Sequence, residues 1–175
     1  AQALGEIAVR VSGLRRAADA PAVREAGADA ARLVQQYRYL PGDDGGLLFQ
    51  ARFDPAAVEE VLRRAGLPLW GQERPLTLVW LAVQDGTGRT IATADAPGGA
   101  ASLLREAARA RGLPTVLPLM DLEDQAQVRF IDIWGGFHEP VVGASRRYGA
   151  EAVLIGRVER LAADHWRARW TLVLS

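Results

Sequence analysis

The chain has 175 residues, with 21 basic and 21 acidic side chains and a hydrophobic content of 49%, and this length accommodates one domain with a sizeable core. A chain that contains arginine but neither lysine nor cysteine cannot use Schiff-base chemistry, a P-loop lysine, a thiol nucleophile or a disulfide. Its balanced charge gives no sequence-wide field for nucleic acid, and no apolar run approaches the roughly 20 residues of a membrane-spanning helix. We therefore expect neither a nucleic-acid partner nor an integral membrane segment.

The first third of the chain begins with two segments of helical periodicity. Apolar residues from Leu4 onward recur at a spacing of three to four residues, and Gly13 is placed where such a helix would stop. A second apolar stripe follows Pro21 and continues at the same spacing to Tyr37, with charged residues on the opposite side. The pattern predicts two amphipathic helices, the second of which extends to Tyr37.

A hairpin and a third helix are predicted next. Residues 37–40 and 47–53 are typical of two strands, and the intervening PGDDGG has the composition of a turn. Asp54 followed by Pro55 is typical of a helix N-terminus, because the carboxylate accepts a backbone N–H and proline needs no partner at the first helical position. This helix is predicted to end at Gly66.

Three apolar segments predict the main strands of a sheet. Residues 76–83 and 152–158 are almost continuously apolar, which is typical of strands covered on both faces. Residues 166–174 alternate strictly, which predicts an antiparallel edge strand with its tryptophans in the core and Arg167 and Arg169 facing water.

The predicted fold is therefore a single α/β domain over residues 1–175. Its mixed sheet has 76–83 and 152–158 as central strands and 166–174 as the C-terminal antiparallel edge strand, with helices packed on the sheet. Trp80, Trp166 and Trp170 are predicted to belong to the strand core.

An acidic cluster follows a short apolar run between two prolines. Asp121, Glu123 and Asp124 could supply oxygen ligands to a divalent cation at the edge of the sheet, with His138 as a further candidate ligand. Alternatively, Asp121 caps a short helix and the other two acids occupy its first turn, where the helix dipole favours them. The cap is the preferred interpretation, and we expect no cofactor.

Loop aromatics are the candidate binding residues. Trp70 and Trp134 both lie beside glycines in predicted loops, where each could contact a partner or plug the core. Phe137 and Arg146 complete the candidate surface. In the simpler alternative, Arg146 and its neighbour Arg147 are solvated charges on a helix. No catalytic residue is predicted: the only serine with a suggestive context, within GASRR, lies inside a helix and lacks the nucleophile-elbow motif.

Several segments together resemble an uncharacterised proteobacterial family of exported proteins, domain of unknown function 2066. These segments are VQQYRYL, AGLPLWGQERPLTLVWLAV, RGLPTVLPLMDLED, DIWGGF and ASRRYGAEAVLIGRV. The resemblance implies a signal peptide and a periplasmic or envelope location, and it implies no activity. It also implies an upstream strand, and both this strand and the signal peptide are missing from these residues.

Residues 144–174 are also similar to the amino-terminal domain of TolB and to the curli-secretion type of lipoprotein fold. That similarity implies a non-enzymatic envelope assembly module. The leading hypothesis is therefore a periplasmic accessory or adaptor domain that binds another envelope component around Trp70 and Trp134. The alternatives are a metal-assisted hydrolase that uses Asp121, Glu123 and Asp124, or a small-ligand carrier, and the oligomeric state is left open.

Overall fold

The computed structural model describes residues 2–41, 45–71 and 73–174. Backbone contacts divide the chain into two compact units, of which the first comprises residues 1–72 with 110–112 and the second comprises 73–109 with 113–175. The predicted single domain stays a prediction, and each unit is described by itself. No helix among the described residues is long and apolar enough to cross a membrane.

The described residues of the first unit form three helices, two short 3₁₀ turns and a two-stranded antiparallel ribbon. In chain order the elements are α1 (Gln2–Ser12), a 3₁₀ turn (Arg15–Asp19), α2 (Pro21–Ala28), a 3₁₀ turn (Ala30–Leu33), β1 (Val34–Pro41), β2 (Leu47–Phe53) and α3 (Pro55–Arg64). The helices enclose a small apolar core that includes Leu4, Val23 and Leu62. The predicted start of α3 is confirmed, because the side chain of Asp54 accepts the Ala57 N–H at 3.1 Å.

The second helix is shorter than predicted. α2 ends at Ala28, and the chain enters β1 at Val34, so Tyr37 belongs to a strand rather than to a helical stripe. The helical spacing was misleading because Tyr37 and Tyr39 also alternate, and pairing with β2 satisfies the backbone of both strands. The predicted hairpin is confirmed, although Gly42, Asp43 and Asp44 of its turn lie outside the described residues.

The second unit contains a mixed sheet with helices on both faces. Its elements are β3 (Thr77–Asp85), β4 (Gly88–Ile91), α4 (Gly99–Ala110), β5 (Thr115–Val116), α5 (Leu122–Gln127), α6 (Phe130–Gly135), α7 (His138–Ser145), β6 (Ala152–Ala162) and β7 (His165–Leu174). The strand order is β4-β3-β6-β7, and β5 pairs with the start of β3. β3 is parallel to β5 and β6, whereas β4 and β7 are antiparallel to their neighbours. The predicted mixed sheet and its antiparallel edge are confirmed.

β3 is buried on both faces, which explains its continuous apolar sequence. One face packs against α6 and α7, and the other against α4. Trp80 is fully buried, and its indole N–H donates to the hydroxyl of Ser145 at 2.9 Å. That hydroxyl donates in turn to the Val141 carbonyl at 2.6 Å, so Ser145 has the structural role predicted for it.

β7 departs from the prediction, because its tryptophans are not in the core. Trp166 and Trp170 are 52% and 46% exposed. The helix on their side of the sheet, α4, packs on β3 and reaches Leu154 and Val158 of β6, and the cluster it forms does not include β7. Trp170 lies over Gly156 on the neighbouring strand, where any side chain would overlap the indole.

A one-residue irregularity in β6 sets the register of β7. Arg160 is opposite Trp166, whereas Ala162 is opposite His165, so Leu161 is an extra residue on β6. If Leu161 were paired instead, a regular ladder from the two-residue connection between Ala162 and His165 would shift every other pair by one. The tryptophans would then lie on the face that packs against α6 and α7.

Deletion of Leu161 should therefore be tolerated. After the deletion the pairs Arg160–Trp166 and Ala162–His165 follow each other directly, so the register of β6 with β7 is retained. We expect the free energy of unfolding in urea to change by less than about 1 kcal/mol. Deletion of Val158, which lies within the regular part of β6, forces a register shift and should cost more than about 2 kcal/mol. Equal losses in the two variants would contradict the assigned register.

Candidate functional site

The β6–β7 pair presents two chemically different faces. We call the first the apolar face, and its β7 side chains are Trp166, Ala168, Trp170, Leu172 and Leu174. We call the second the arginine face, and it carries Arg157 and Glu159 of β6 with Arg167 and Arg169 of β7. The alternation was predicted from sequence, but both faces of β7 are exposed to solvent.

The apolar face is large for an exposed surface. Leu174 is 72% exposed, Leu172 is more than half exposed, and the two tryptophans are each about half exposed. The indoles alone present on the order of 200 Å², and the leucines bring the patch to several hundred Å², the size at which exposed apolar surface marks an interaction site. The guanidinium of Arg160 lies over the Trp166 ring at 5.7 Å from its centroid, at the rim of the patch.

β7 also has an open edge. Among the described strands it pairs only with β6, so one side of a ten-residue strand has backbone groups without a strand partner. Natural sheets usually protect such an edge with proline, lysine or a bulge in the edge strand. β7 has no proline and no lysine, and the extra residue of this pair is on β6. A long edge next to an apolar face is suited to pairing with another strand.

Trp134 is a predicted binding residue that contacts this strand pair. It lies near the end of α6, is partly buried, and stacks on Phe130 with ring centroids 5.2 Å apart. Its backbone carbonyl accepts a hydrogen bond from the guanidinium of Arg157. Together with the arginine face, Trp134 lines a cavity of about 170 Å³. The structure therefore places Trp134 beside arginines that sequence reasoning did not select.

The remaining predicted binding residues are divided between the two units. Trp70 belongs to the first unit and is 38% exposed. Its ring packs where a side chain at Gly13 would lie, and its backbone N–H donates to the Val11 carbonyl at 2.8 Å. Phe137 and Arg146 are exposed in the second unit. Their role in binding stays a prediction.

The acidic cluster caps a helix, as the preferred interpretation predicted. The side chain of Asp121 accepts the Asp124 N–H at 3.0 Å at the start of α5, and Glu123 and Asp124 lie in its first turn. Arg147 donates to both oxygens of Asp121 at 2.7 Å. The expectation that Arg147 is a solvated charge is wrong, because its guanidinium forms a bidentate pair.

Asp124 connects this cap to the end of α7. Its carboxylate is fully buried and accepts hydrogen bonds from the Met120 N–H, the Arg147 guanidinium and the Tyr148 hydroxyl at 2.9, 3.2 and 2.5 Å. Met120 has a φ of 53°, so this network also holds a residue in the left-handed region. Asp121 and Asp124, which the alternative interpretation assigned to a metal ion, thus have a structural role.

The network shifts the pKa of three groups, and the hydrogen bond to Asp121 raises the pKa of Arg147 above its usual range. Hydrogen bonds from Arg147 and from the Asp124 N–H hold the pKa of Asp121 well below its usual range. Burial, followed by the hydrogen bond to Asp124, raises the pKa of Tyr148 to about 12. Among the described residues no group of three or more histidines and carboxylates is arranged to hold a metal ion. The alternative function, a metal-assisted hydrolase with His138 as a further candidate ligand, stays a prediction.

A groove in the first unit is relevant to the alternative hypothesis of a small-ligand carrier. Its volume is about 840 Å³, and its walls include Val9, Ala18 and Val23 with charged side chains among them. This volume is within the range of small-molecule sites. The walls are open rather than enclosing, and the carrier function stays a prediction.

The comparisons with known proteins concern the first unit. Residues 1–71 match a family described as Domain of unknown function (DUF8605). The match ends one residue before the main segment of the first unit does. No curated protein and no solved structure matches the chain. The resemblance to domain of unknown function 2066 and to TolB stays a prediction.

Tyr148→Phe tests the buried network through its pKa. Because folding raises the pKa of Tyr148, its contribution to stability is complete below about pH 10 and is lost as the pH rises towards about 12. Ultraviolet titration of the folded chain should show a phenol transition near pH 12 that disappears in the variant.

The same variant should lower the free energy of unfolding at neutral pH by about 1–3 kcal/mol. It removes one donor to the buried Asp124 and the acceptor of the Leu119 N–H. Tyr39→Phe is the matched control, because the Tyr39 ring is exposed on the ribbon. A transition near pH 12 that persists in Tyr148→Phe would contradict the assignment.

Proposed function

We propose that this chain is a non-enzymatic accessory or adaptor domain that binds another protein through β7. The observation that carries the proposal is the apolar face next to an open, regular strand edge. Strand addition at such an edge obtains affinity from backbone hydrogen bonds and specificity from alternate side chains. The occupant is an extended segment of a partner protein whose apolar side chains continue the face formed by Trp170, Leu172 and Leu174.

A second copy of this chain is a poorer occupant for reasons of charge. Antiparallel pairing of β7 with itself about Ala168 would place Arg167 of one copy directly opposite Arg169 of the other. Like charges on neighbouring strands are destabilising. A partner segment without basic residues on that side avoids this repulsion.

The proposed location is the periplasm or cell envelope. The support is the resemblance to domain of unknown function 2066 and to TolB-like modules, whose members are exported. The partner would then be another envelope component. Fractionation of cells that express the natural gene should recover the protein with periplasmic markers, and recovery with cytoplasmic markers would contradict this location.

Photocrosslinking in cells can locate the binding surface. A photoreactive side chain at position 172, on the apolar face, should give one discrete adduct with a different protein. Leu174→Ser in the same chain should reduce the adduct by about tenfold, because it removes exposed apolar surface from the contact. The matched control is the same probe at position 103, since Leu103 is exposed on α4 and does not belong to the apolar face.

Three outcomes would contradict the proposal. Equal adducts from positions 172 and 103 would indicate non-specific contact. An adduct of twice the mass of the chain would identify a second copy as the occupant. Adducts from position 137 or 146 but not 172 would place the surface on the loop residues selected from sequence.

A further inference from the structure

The cavity on the arginine face is an unusual concentration of positive charge on a sheet. Its walls are Trp134, Arg157, Glu159, Arg167 and Arg169. Sites for drug-sized molecules occupy roughly 300–1,000 Å³, whereas this cavity has about 170 Å³. It therefore suits a small polyatomic group rather than a large ligand.

The pairing of β6 with β7 leaves this charge uncompensated. Arg157 is directly opposite Arg169, an arrangement of like charges that costs stability. Glu159 is opposite Arg167, and their charged groups are 3.8 Å apart. Three guanidinium groups share one carboxylate, so the cavity carries two excess positive charges.

The contacts of Arg157 and Arg169 do not remove the excess. Arg157 donates to the carbonyl of Trp134, which is neutral, and this hydrogen bond restricts the guanidinium before any ligand arrives. Among the described residues, the guanidinium of Arg169 has no hydrogen bond and no ion pair. A group that bridged the two arginines would replace their repulsion by two charge-assisted contacts.

We propose that this cavity binds a phosphate group as a dianion, between Arg157 and Arg169. A dianion matches the two excess charges, and planar guanidinium groups bind phosphate oxygens in a bidentate manner. A carboxylate would neutralise only half of the excess. The site lies on the opposite face of the strand pair from the apolar face, so it does not depend on the proposed protein partner.

Titration of the whole chain with inorganic phosphate tests the site. When phosphate exceeds its dissociation constant about tenfold, the melting temperature should rise by about 3–6 °C relative to chloride at equal ionic strength. Acetate at equal ionic strength should give less than half of this rise. Arg169→Gln should weaken phosphate binding at least about tenfold by calorimetry, because one bidentate contact is lost.

Arg169→Gln also has a signature that a merely destabilising variant lacks. In phosphate-free buffer it should melt at the same temperature as the natural chain or higher, because the repulsion from Arg157 is relieved. Arg109→Gln is the matched control: it removes the same charge from an exposed position on α4 and should leave phosphate binding unchanged.

The proposal would be overturned by any of three results. These are no rise with phosphate beyond that with chloride, a rise with acetate equal to that with phosphate, or unchanged binding in Arg169→Gln. Vesicles of phosphatidylcholine with phosphatidic acid distinguish two sources of the same group. Displacement of bound phosphate by these vesicles would assign a lipid phosphate, and its absence would assign a soluble one.

Discussion

The irregularity that leaves Leu161 of β6 unpaired decides which side of the sheet carries the tryptophans of β7. Side chains alternate with a period of two, so a register shift of one residue exchanges the two faces of a strand. With the extra residue, Trp170 lies over Gly156 and Arg169 lies opposite Arg157. The exposed apolar face and the concentration of arginines are therefore two consequences of one irregularity.

The sheet can tolerate an exposed β7 because its core is complete without it. β3 is buried on both faces, and α4, α6 and α7 cover the centre of the sheet. The cap formed by Asp121 and the buried Asp124 then fixes the connection between β5 and α5. Ten residues of β7 are held mainly by pairing with β6. A strand that adds little to the core remains available for contacts with other molecules.

The central elements could be predicted because their signals are local. The apolar run at β3, the alternation in β7, the cap at Asp54 and the cap at Asp121 each depend on neighbouring residues. The length of α2 was wrong because alternation at Tyr37 and Tyr39 coincides with helical spacing over a short window. The partner of Arg147 lies 26 residues away at Asp121, and no local pattern indicates such a pair.

The candidate site was less accessible to sequence reasoning for a related reason. Arg157 lies opposite Arg169 only if Leu161 is left unpaired. If every residue of β6 is paired in order from the turn, including Leu161, Arg157 lies opposite Trp170 instead. The burial of β7 depends on how far α4 extends across the sheet, which is a property of packing rather than of the strand. Sequence could therefore identify the two sides of β7, but not what covers them.

Hydrogen exchange of the β7 amides tests most directly whether this edge is a binding surface. In the free chain, alternate amides from Trp166 to Leu174 point away from β6 and should exchange rapidly, while those between them are protected. In the complex isolated from cells, the rapidly exchanging set should become protected. Protection of both sets in the free chain, or rapid exchange that persists in the complex, would contradict strand addition at β7.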